Sequence, residues 1–113
     1  MRGMAYEDPN PVTVYLAAVG NNIRYYRQKK GLTLEALGED IGLDKGNMHR
    51  IEKGKNITLE TLCKISALLE VEMSVLVTTT VNMTYEAAEK YITAKKHQRL
   101  NTKKEGDPEN PAE

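Results

Sequence analysis

Apolar residues recur every three or four positions along much of the chain, a spacing that puts them on one side of an α-helix. The first such stripe predicts a helix with Thr13 as its N-cap that ends near Lys30, before Gly31. Gly20 lies inside this helix and is expected to kink it. The apolar positions of the stripe are Leu16, Val19, Ile23 and Tyr26.

Four shorter helices are predicted next, over residues 34–41, 45–53, 59–69 and 73–77. Thr33, Asp44 and Thr58 are the expected N-caps of the first three. Gly38 is small where two helices must approach closely, and Gly42 lies where the chain must turn sharply. The predicted core consists of Val19, Ile23, Leu32, Leu37, Ile41, Leu43, Met48, Ile51, Leu59, Leu62, Ile65, Leu68, Val71 and Leu76.

The C-terminal third has a weaker pattern. Residues 77–83 are rich in β-branched side chains and favour an extended segment. Thr84 is expected to cap a last helix over residues 85–100, whose apolar stripe is Tyr85, Ala88 and Ile92. That stripe suits two arrangements equally, packing on its own domain or dimerisation. Residues 1–11 are predicted to be a flexible arm and residues 101–113 a disordered tail, because both are polar and contain proline.

Composition narrows the class of protein. The 113 residues suit one small helical domain, and their formal net charge is zero. No apolar run approaches 18 residues, and the N-terminus lacks the apolar segment of a secretory signal, so a cytoplasmic protein is expected. The histidines and the single cysteine do not have metal-binding spacing, and Ser66 and Ser74 have no evident base. An enzyme is therefore not expected, and no cofactor or metal is implied.

Residues 34–53 form the most informative stretch, two short amphipathic segments joined by a glycine turn. This is the pattern of a helix-turn-helix, whose second helix enters the major groove of DNA. Residues 19–77 as a whole resemble the lambda-repressor/Cro-like (XRE-type) helix-turn-helix family. The matching residues are Gly20, Ile23, Arg27, Gly31, Leu32, Thr33, Ile51, Glu52, Lys53, Gly54, Leu59, Glu60, Thr61, Leu62 and the stretches 65–71 and 73–76.

The resemblance implies an all-α fold: a five-helix lambda-repressor-like DNA-binding domain over residues 12–77, with a C-terminal extension over residues 78–100 that holds one further helix. It also implies which residues read bases, namely Lys45, Gly46, Asn47 and Arg50. Lys45 and Arg50 can donate to guanine O6 and N7, whereas Asn47 can pair with adenine or contact a phosphate. Gly46 has no side chain, so one reading position is blank.

Phosphate contacts are expected from the ends of helices and from loops. Four positive residues between positions 45 and 55 face one negative residue, Glu52, although such a charge run alone would more often be a solvated helix face. Two departures from the family weaken the expected binding: Leu34 replaces a phosphate-binding glutamine, and Asp44 puts a carboxylate beside the DNA. The expected phosphate-binding residues are Arg24, Gln28, Lys29, Thr33, His49, Lys53, Lys55 and Asn56.

The resemblance further implies a structural ion pair between Arg27 and Glu52, and a function. The expected function is sequence-specific regulation of transcription, by a homodimer that binds a palindromic operator in double-stranded DNA and acts as a repressor. Residues 75–100 are the expected dimer contact. Three alternatives stay open: a restriction-modification controller protein, an antitoxin that binds a toxin and regulates its own operon, and a protein-interaction module that no longer binds DNA.

Overall fold

A computed structural model describes residues 10–104, with side chains up to Leu100, and this part of the chain contains six α-helices and no strand. The all-α class and the five helices with one further helix are thus confirmed. Residues 1–9 of the predicted arm and residues 105–113 of the predicted tail lie outside the described range. The helices are α1 (Pro11–Lys29), α2 (Leu34–Glu39), α3 (Lys45–Glu52), α4 (Leu59–Leu69), α5 (Met73–Val77) and α6 (Tyr85–Lys104).

The first helix begins earlier than its apolar stripe indicates. Asn10, not Thr13, is its N-cap, because the Asn10 side chain accepts hydrogen bonds from the backbone N–H groups of Val12 at 2.9 Å and Thr13 at 3.5 Å. Pro11 occupies the first helical turn, where its missing N–H is not needed. Asn10 and Pro11 are therefore the N-cap and the first residue of α1, and the predicted N-cap was wrong.

Gly20 is a point of close approach between α1 and the end of α3. The helix continues through it, and a Cβ atom placed there would lie 2.5 Å from the carbonyl oxygen of Glu52 and 2.6 Å from that of Ile51. Those distances are shorter than any normal carbon–oxygen contact. The glycine at this position is thus explained by packing of backbone against backbone.

The core is aliphatic and is drawn from α1 to α5. One of the predicted core positions was wrong, since Leu59 is 73% exposed, and Leu69, which was not predicted, is buried at the end of α4. Leu59 is the first residue of α4 and lies beyond the packed part of the helix face. Leu32, Ile41, Leu43, Leu68 and Val71 are half-buried against the core. The buried apolar residues are Val19, Ile23, Leu37, Met48, Ile51, Leu62, Ile65, Leu69 and Leu76.

Two side chains of α1 hold the C-terminal end of α5. The Asn22 side-chain amide donates to the carbonyl oxygens of Leu76 at 2.9 Å and Thr78 at 3.0 Å, and the Tyr15 hydroxyl donates to the carbonyl oxygen of Val77. These bonds satisfy carbonyl groups that a helix end leaves without internal partners. They also fix the direction in which the chain leaves the five-helix domain.

The last helix packs against α1. Thr84 caps it, as predicted, by accepting a hydrogen bond from the Ala87 N–H at 3.1 Å. The predicted stripe is divided, since Ala88 is half-buried while Tyr85 and Ile92 are 78% and 63% exposed. The helix ends at Lys104, so residues 101–104 are helical and not part of a disordered tail. Within residues 10–104, no helix is long and apolar enough to span a membrane.

Candidate nucleic-acid interface

A tight turn joins α2 to α3. The Leu43 N–H donates to the carbonyl oxygen of Gly38 at 2.9 Å, and Gly42 adopts a φ of +78° that favours glycine. The turn returns so closely to α2 that a Cβ atom on Gly38 would overlap the carbonyl oxygen of Leu43 and lie 2.9 Å from Met48 Cγ. The predicted helix-turn-helix corner is therefore present, although α2 ends at Glu39, two residues earlier than predicted.

The third helix has one buried side and one exposed side. Met48, Ile51 and Glu52 are buried, and Asp44 caps the helix by accepting a hydrogen bond from the Asn47 N–H at 2.7 Å. Of the residues predicted to read bases, Lys45, Gly46 and Arg50 are exposed and Asn47 is half-buried. The core packing of α3 thus leaves these four residues on its accessible side.

A buried ion pair connects α3 to α1. Arg27 Nε lies 2.6 Å from Glu52 Oε2, and Arg27 Nη2 lies 3.0 Å from Glu52 Oε1. Arg27 Nη1 also donates to the carbonyl oxygen of Leu32 at 2.8 Å, in the loop before α2. The two side chains are 10% and 3% exposed. One guanidinium group, on α1, therefore contacts both α3 and the loop that precedes α2.

Two of the predicted DNA-binding side chains, Arg50 and Lys55, contact a third, Asn47. Asn47 Oδ1 accepts from Arg50 Nη2 at 2.9 Å and from Lys55 Nζ at 3.2 Å. Asn47, Arg50 and Lys55 are called the Asn47 cluster below. Two of its members come from α3 and the third from the loop that follows, so the cluster presents two cations together on the exposed side of α3.

Lys45 has a partner that sequence reasoning missed. Its Nζ lies 3.7 Å from Glu35 Oε2, and both side chains are 63% exposed. An exposed pair at this distance contributes little to stability. The helix-turn-helix pattern could have predicted this contact, because the loop between the two helices brings the N-terminal end of α2 beside the start of α3. Glu35 is therefore an acidic neighbour of a predicted base-reading lysine.

The predicted phosphate-binding residues are exposed but are not gathered into one cluster. Thr33 accepts a hydrogen bond from the Ala36 N–H at 3.0 Å and so acts as the N-cap of α2. Lys29 Nζ lies 5.9 Å from the ring centres of both Tyr25 and Tyr26. In the described part of the chain, Arg24 and Gln28 form no hydrogen bond or ion pair with α3. The remaining exposed residues near the end of α3 are His49, Lys53 and Asn56.

Leu34 is the first residue of α2, and its side chain meets the core. Leu34 is half-buried and packs against the core, which stabilises the start of α2, and its hydrocarbon side chain has no group that donates to a phosphate. Among residues whose side chains are described, no group of three histidine, cysteine or acidic residues is placed to hold a metal ion.

A tight turn, a buried ion pair and an exposed polar helix together define a helix-turn-helix domain. Residues 23–76 match the family model described as "Helix-turn-helix". The chain therefore contains a helix-turn-helix domain of the XRE type, and the family predicted from the sequence is confirmed.

Two curated relatives cover parts of the same region. The HTH-type transcriptional regulator SlrR of Bacillus subtilis (strain 168) is 38% identical over 58 residues, which are 50% of this chain and 38% of that protein. An uncharacterized HTH-type transcriptional regulator of Sinorhizobium medicae (strain WSM419) is 36% identical over 67 residues, 58% of this chain and 46% of that protein. The chain thus spans less than half the length of each of these relatives.

A solved structure has a similar arrangement of helices. It is the crystal structure of a hypothetical transcription factor, NHTF, from Neisseria, with a TM-score of 0.53 and 28% sequence identity. The match covers 69% of this chain and 90% of that chain.

Proposed function

We propose that this protein is a sequence-specific DNA-binding regulator of transcription. The observation that carries the proposal is the exposed side of α3, where the Asn47 cluster groups two cationic donors while the opposite side is buried in the core. Recognition of DNA by a helix-turn-helix uses such a helix in the major groove. The relatives described above are named as transcriptional regulators or as a transcription factor, which supports the assignment to transcription.

In the proposed complex, α3 lies in the major groove and Arg50 donates to guanine O6 and N7. Lys45 leaves Glu35 to reach a second base, which its exposed and weak pairing permits. Exposed donors at the ends of helices and in loops neutralise phosphates and make the affinity dependent on salt. These donors are Arg24, Gln28, Lys29, Thr33, His49, Lys53, Lys55 and Asn56.

We further propose that a homodimer binds a palindromic operator, with half-site centres one helical turn (~34 Å) apart. Exposed apolar side chains in residues 75–100 support a dimer contact there, because Val75, Tyr85 and Ile92 are 37%, 78% and 63% exposed. A dimer seated over a promoter represses by occluding polymerase. The proposed ligand is double-stranded DNA, which is in keeping with the expected cytoplasmic location.

In vitro selection from random duplex DNA tests this function. The purified full chain is expected to enrich a guanine-containing palindrome at low salt. Enrichment of a single half-site would contradict the dimer but not DNA recognition. No enrichment at low salt would contradict the proposed function. It would favour a protein partner, as expected for an antitoxin or an interaction module.

Two substitutions of Asp44 distinguish its effect on stability from its effect on DNA affinity. Asp44→Ala removes the α3 cap and is expected to lower the free energy of unfolding by about 1 kcal/mol. Asp44→Asn keeps the cap acceptor, so its unfolding free energy should stay within about 0.5 kcal/mol of wild type. Because it also removes a negative charge near phosphates, it should bind the enriched duplex more tightly. Denaturant unfolding and fluorescence anisotropy measure the two effects, and an unchanged affinity for Asp44→Asn would show that Asp44 is remote from the DNA.

A further inference from the structure

Asn47 has a side-chain oxygen that is already fully used. Its Oδ1 accepts hydrogen bonds from Arg50 at 2.9 Å and from Lys55 at 3.2 Å. A carbonyl oxygen has two lone pairs, so these two donors occupy its acceptor capacity. Two-pronged recognition of adenine by asparagine requires that same oxygen to accept from adenine N6 while the amide donates to N7. Reading adenine would therefore require Asn47 to release both cations.

We infer that Asn47 is a positioning residue, which holds Arg50 and Lys55 in place for DNA instead of reading a base. The inference rests on the proposed function and refines the role of one residue within it. Asn47 is suited to this task because it is half-buried and its backbone N–H is fixed by the Asp44 cap at 2.7 Å. Its side chain thus starts from a rigid point, whereas Arg50 and Lys55 are exposed and long.

The cluster leaves both cations able to bind DNA. The guanidinium of Arg50 has five N–H donors and gives one to Asn47, which leaves enough for guanine O6 and N7. The ammonium of Lys55 has three donors and gives one to Asn47, which leaves two for a phosphate. Holding such flexible side chains before binding reduces the conformational entropy lost when the complex forms.

The Arg50 guanidinium lies beside Gly46, over the first turn of α3. A Cβ atom placed on Gly46 would be 3.7 Å from Arg50 Nη1 and 3.8 Å from Nη2, so the guanidinium passes beside this glycine. The Arg50 side chain therefore passes the blank reading position and is held by Asn47. Within the Asn47 cluster, Arg50 is the side chain that reads a base, and Asn47 sets its direction.

The test compares two duplexes, the one that the wild-type full chain enriches and the same duplex with its most strongly selected guanine replaced by adenine. Arg50→Ala is expected to abolish the preference, which is about five- to 150-fold for one two-pronged contact. Asn47→Ala should reduce that preference by roughly tenfold or to none, because Arg50 loses its anchor. The double variant should match Arg50→Ala alone. Asn47→Asp keeps the acceptor and should restore the preference, at a lower overall affinity.

Melting curves of all variants control for folding, and Asn47→Asp keeps the test valid if Asn47→Ala is unstable. Independent, additive effects of Asn47→Ala and Arg50→Ala would overturn the inference. So would a repeated selection in which Asn47→Ala keeps the guanine and loses an adenine elsewhere in the motif. An enriched motif without guanine overturns the inference but leaves the proposed function standing. No enrichment by wild type overturns both.

Discussion

Arg27→Ala is expected to lower the free energy of unfolding by about 3–5 kcal/mol, because it leaves the Glu52 carboxylate buried without its partner. Glu52 is 3% exposed and accepts two hydrogen bonds from the guanidinium, which also holds the carbonyl oxygen of Leu32. One substitution therefore removes the contacts of α1 with α3 and with the loop that precedes α2. The expected loss is a large part of the total stability of a small domain.

Two controls make this result interpretable. Lys30→Ala removes the exposed pair with Glu70, at 3.0 Å, and should change stability by less than about 1 kcal/mol. The double variant Arg27→Met with Glu52→Leu removes both charges, so it should be markedly more stable than Arg27→Ala. Denaturant unfolding of the four proteins gives these differences. If Arg27→Ala melts like wild type, the pair does not join α3 to α1.

Gly38→Ala is expected to destabilise the helix-turn-helix corner by about 1–3 kcal/mol or more, as overpacking of a tight site does. The added methyl group would overlap the carbonyl oxygen of Leu43, which is backbone and has no rotamer by which to move away. The Gly38 carbonyl oxygen also accepts the Ile41 and Leu43 N–H groups, at 3.0 and 2.9 Å. Any shift of the turn would thus strain bonds that set the angle between α2 and α3.

Gly46→Ala is the matched control, since it makes the same change in the same motif. A Cβ atom there meets nothing closer than 3.6 Å, so the methyl group fits. Alanine is a better helix former than glycine, and the variant should be more stable by about 0.5–1 kcal/mol. Denaturant unfolding of both variants measures the contrast. Equal stabilities for Gly38→Ala and Gly46→Ala would contradict the close packing of the corner.

The sequence predicted the helices well wherever a cap and an apolar stripe agreed. Thr58 and the leucines after it placed α4 within its observed bounds, and Thr33 and Asp44 act as caps as expected. The start of α1 was missed because Asn10 and Pro11 looked like part of a polar arm. Only the hydrogen bonds from Val12 and Thr13 to Asn10 show that a helix begins there.

Burial in α4 was harder to predict than its bounds. Leu59 lies three positions before Leu62, and Leu68 lies three positions after Ile65, so periodicity alone places either of them on the core face. Whether a given position is covered depends on where the neighbouring helices end, which is a tertiary property. This explains why Leu59 is exposed while Leu69 is buried.

The positions of the candidate site residues followed from the helix-turn-helix pattern, but their mutual contacts did not. Arg50 and Asn47 are three residues apart on one helix, so a contact between them is within reach of sequence reasoning. Lys55 and Glu35 come from other elements, and their approach to Asn47 and Lys45 depends on the path of the turn and of the loop after α3. The contacts of Lys55 with Asn47 and of Glu35 with Lys45 decide which side-chain atoms are available for the proposed DNA contacts.

The most direct test of DNA reading by α3 is in vitro selection by Arg50→Ala beside wild type. Lys64→Ala is the control, because Lys64 is an exposed cation on α4 that pairs with Glu60 at 3.2 Å, away from α3. Wild type and Lys64→Ala should enrich the same motif, and Arg50→Ala should lose the preference for guanine, worth about 1–3 kcal/mol of discrimination. The same motif with undiminished guanine preference in Arg50→Ala would contradict base reading by α3.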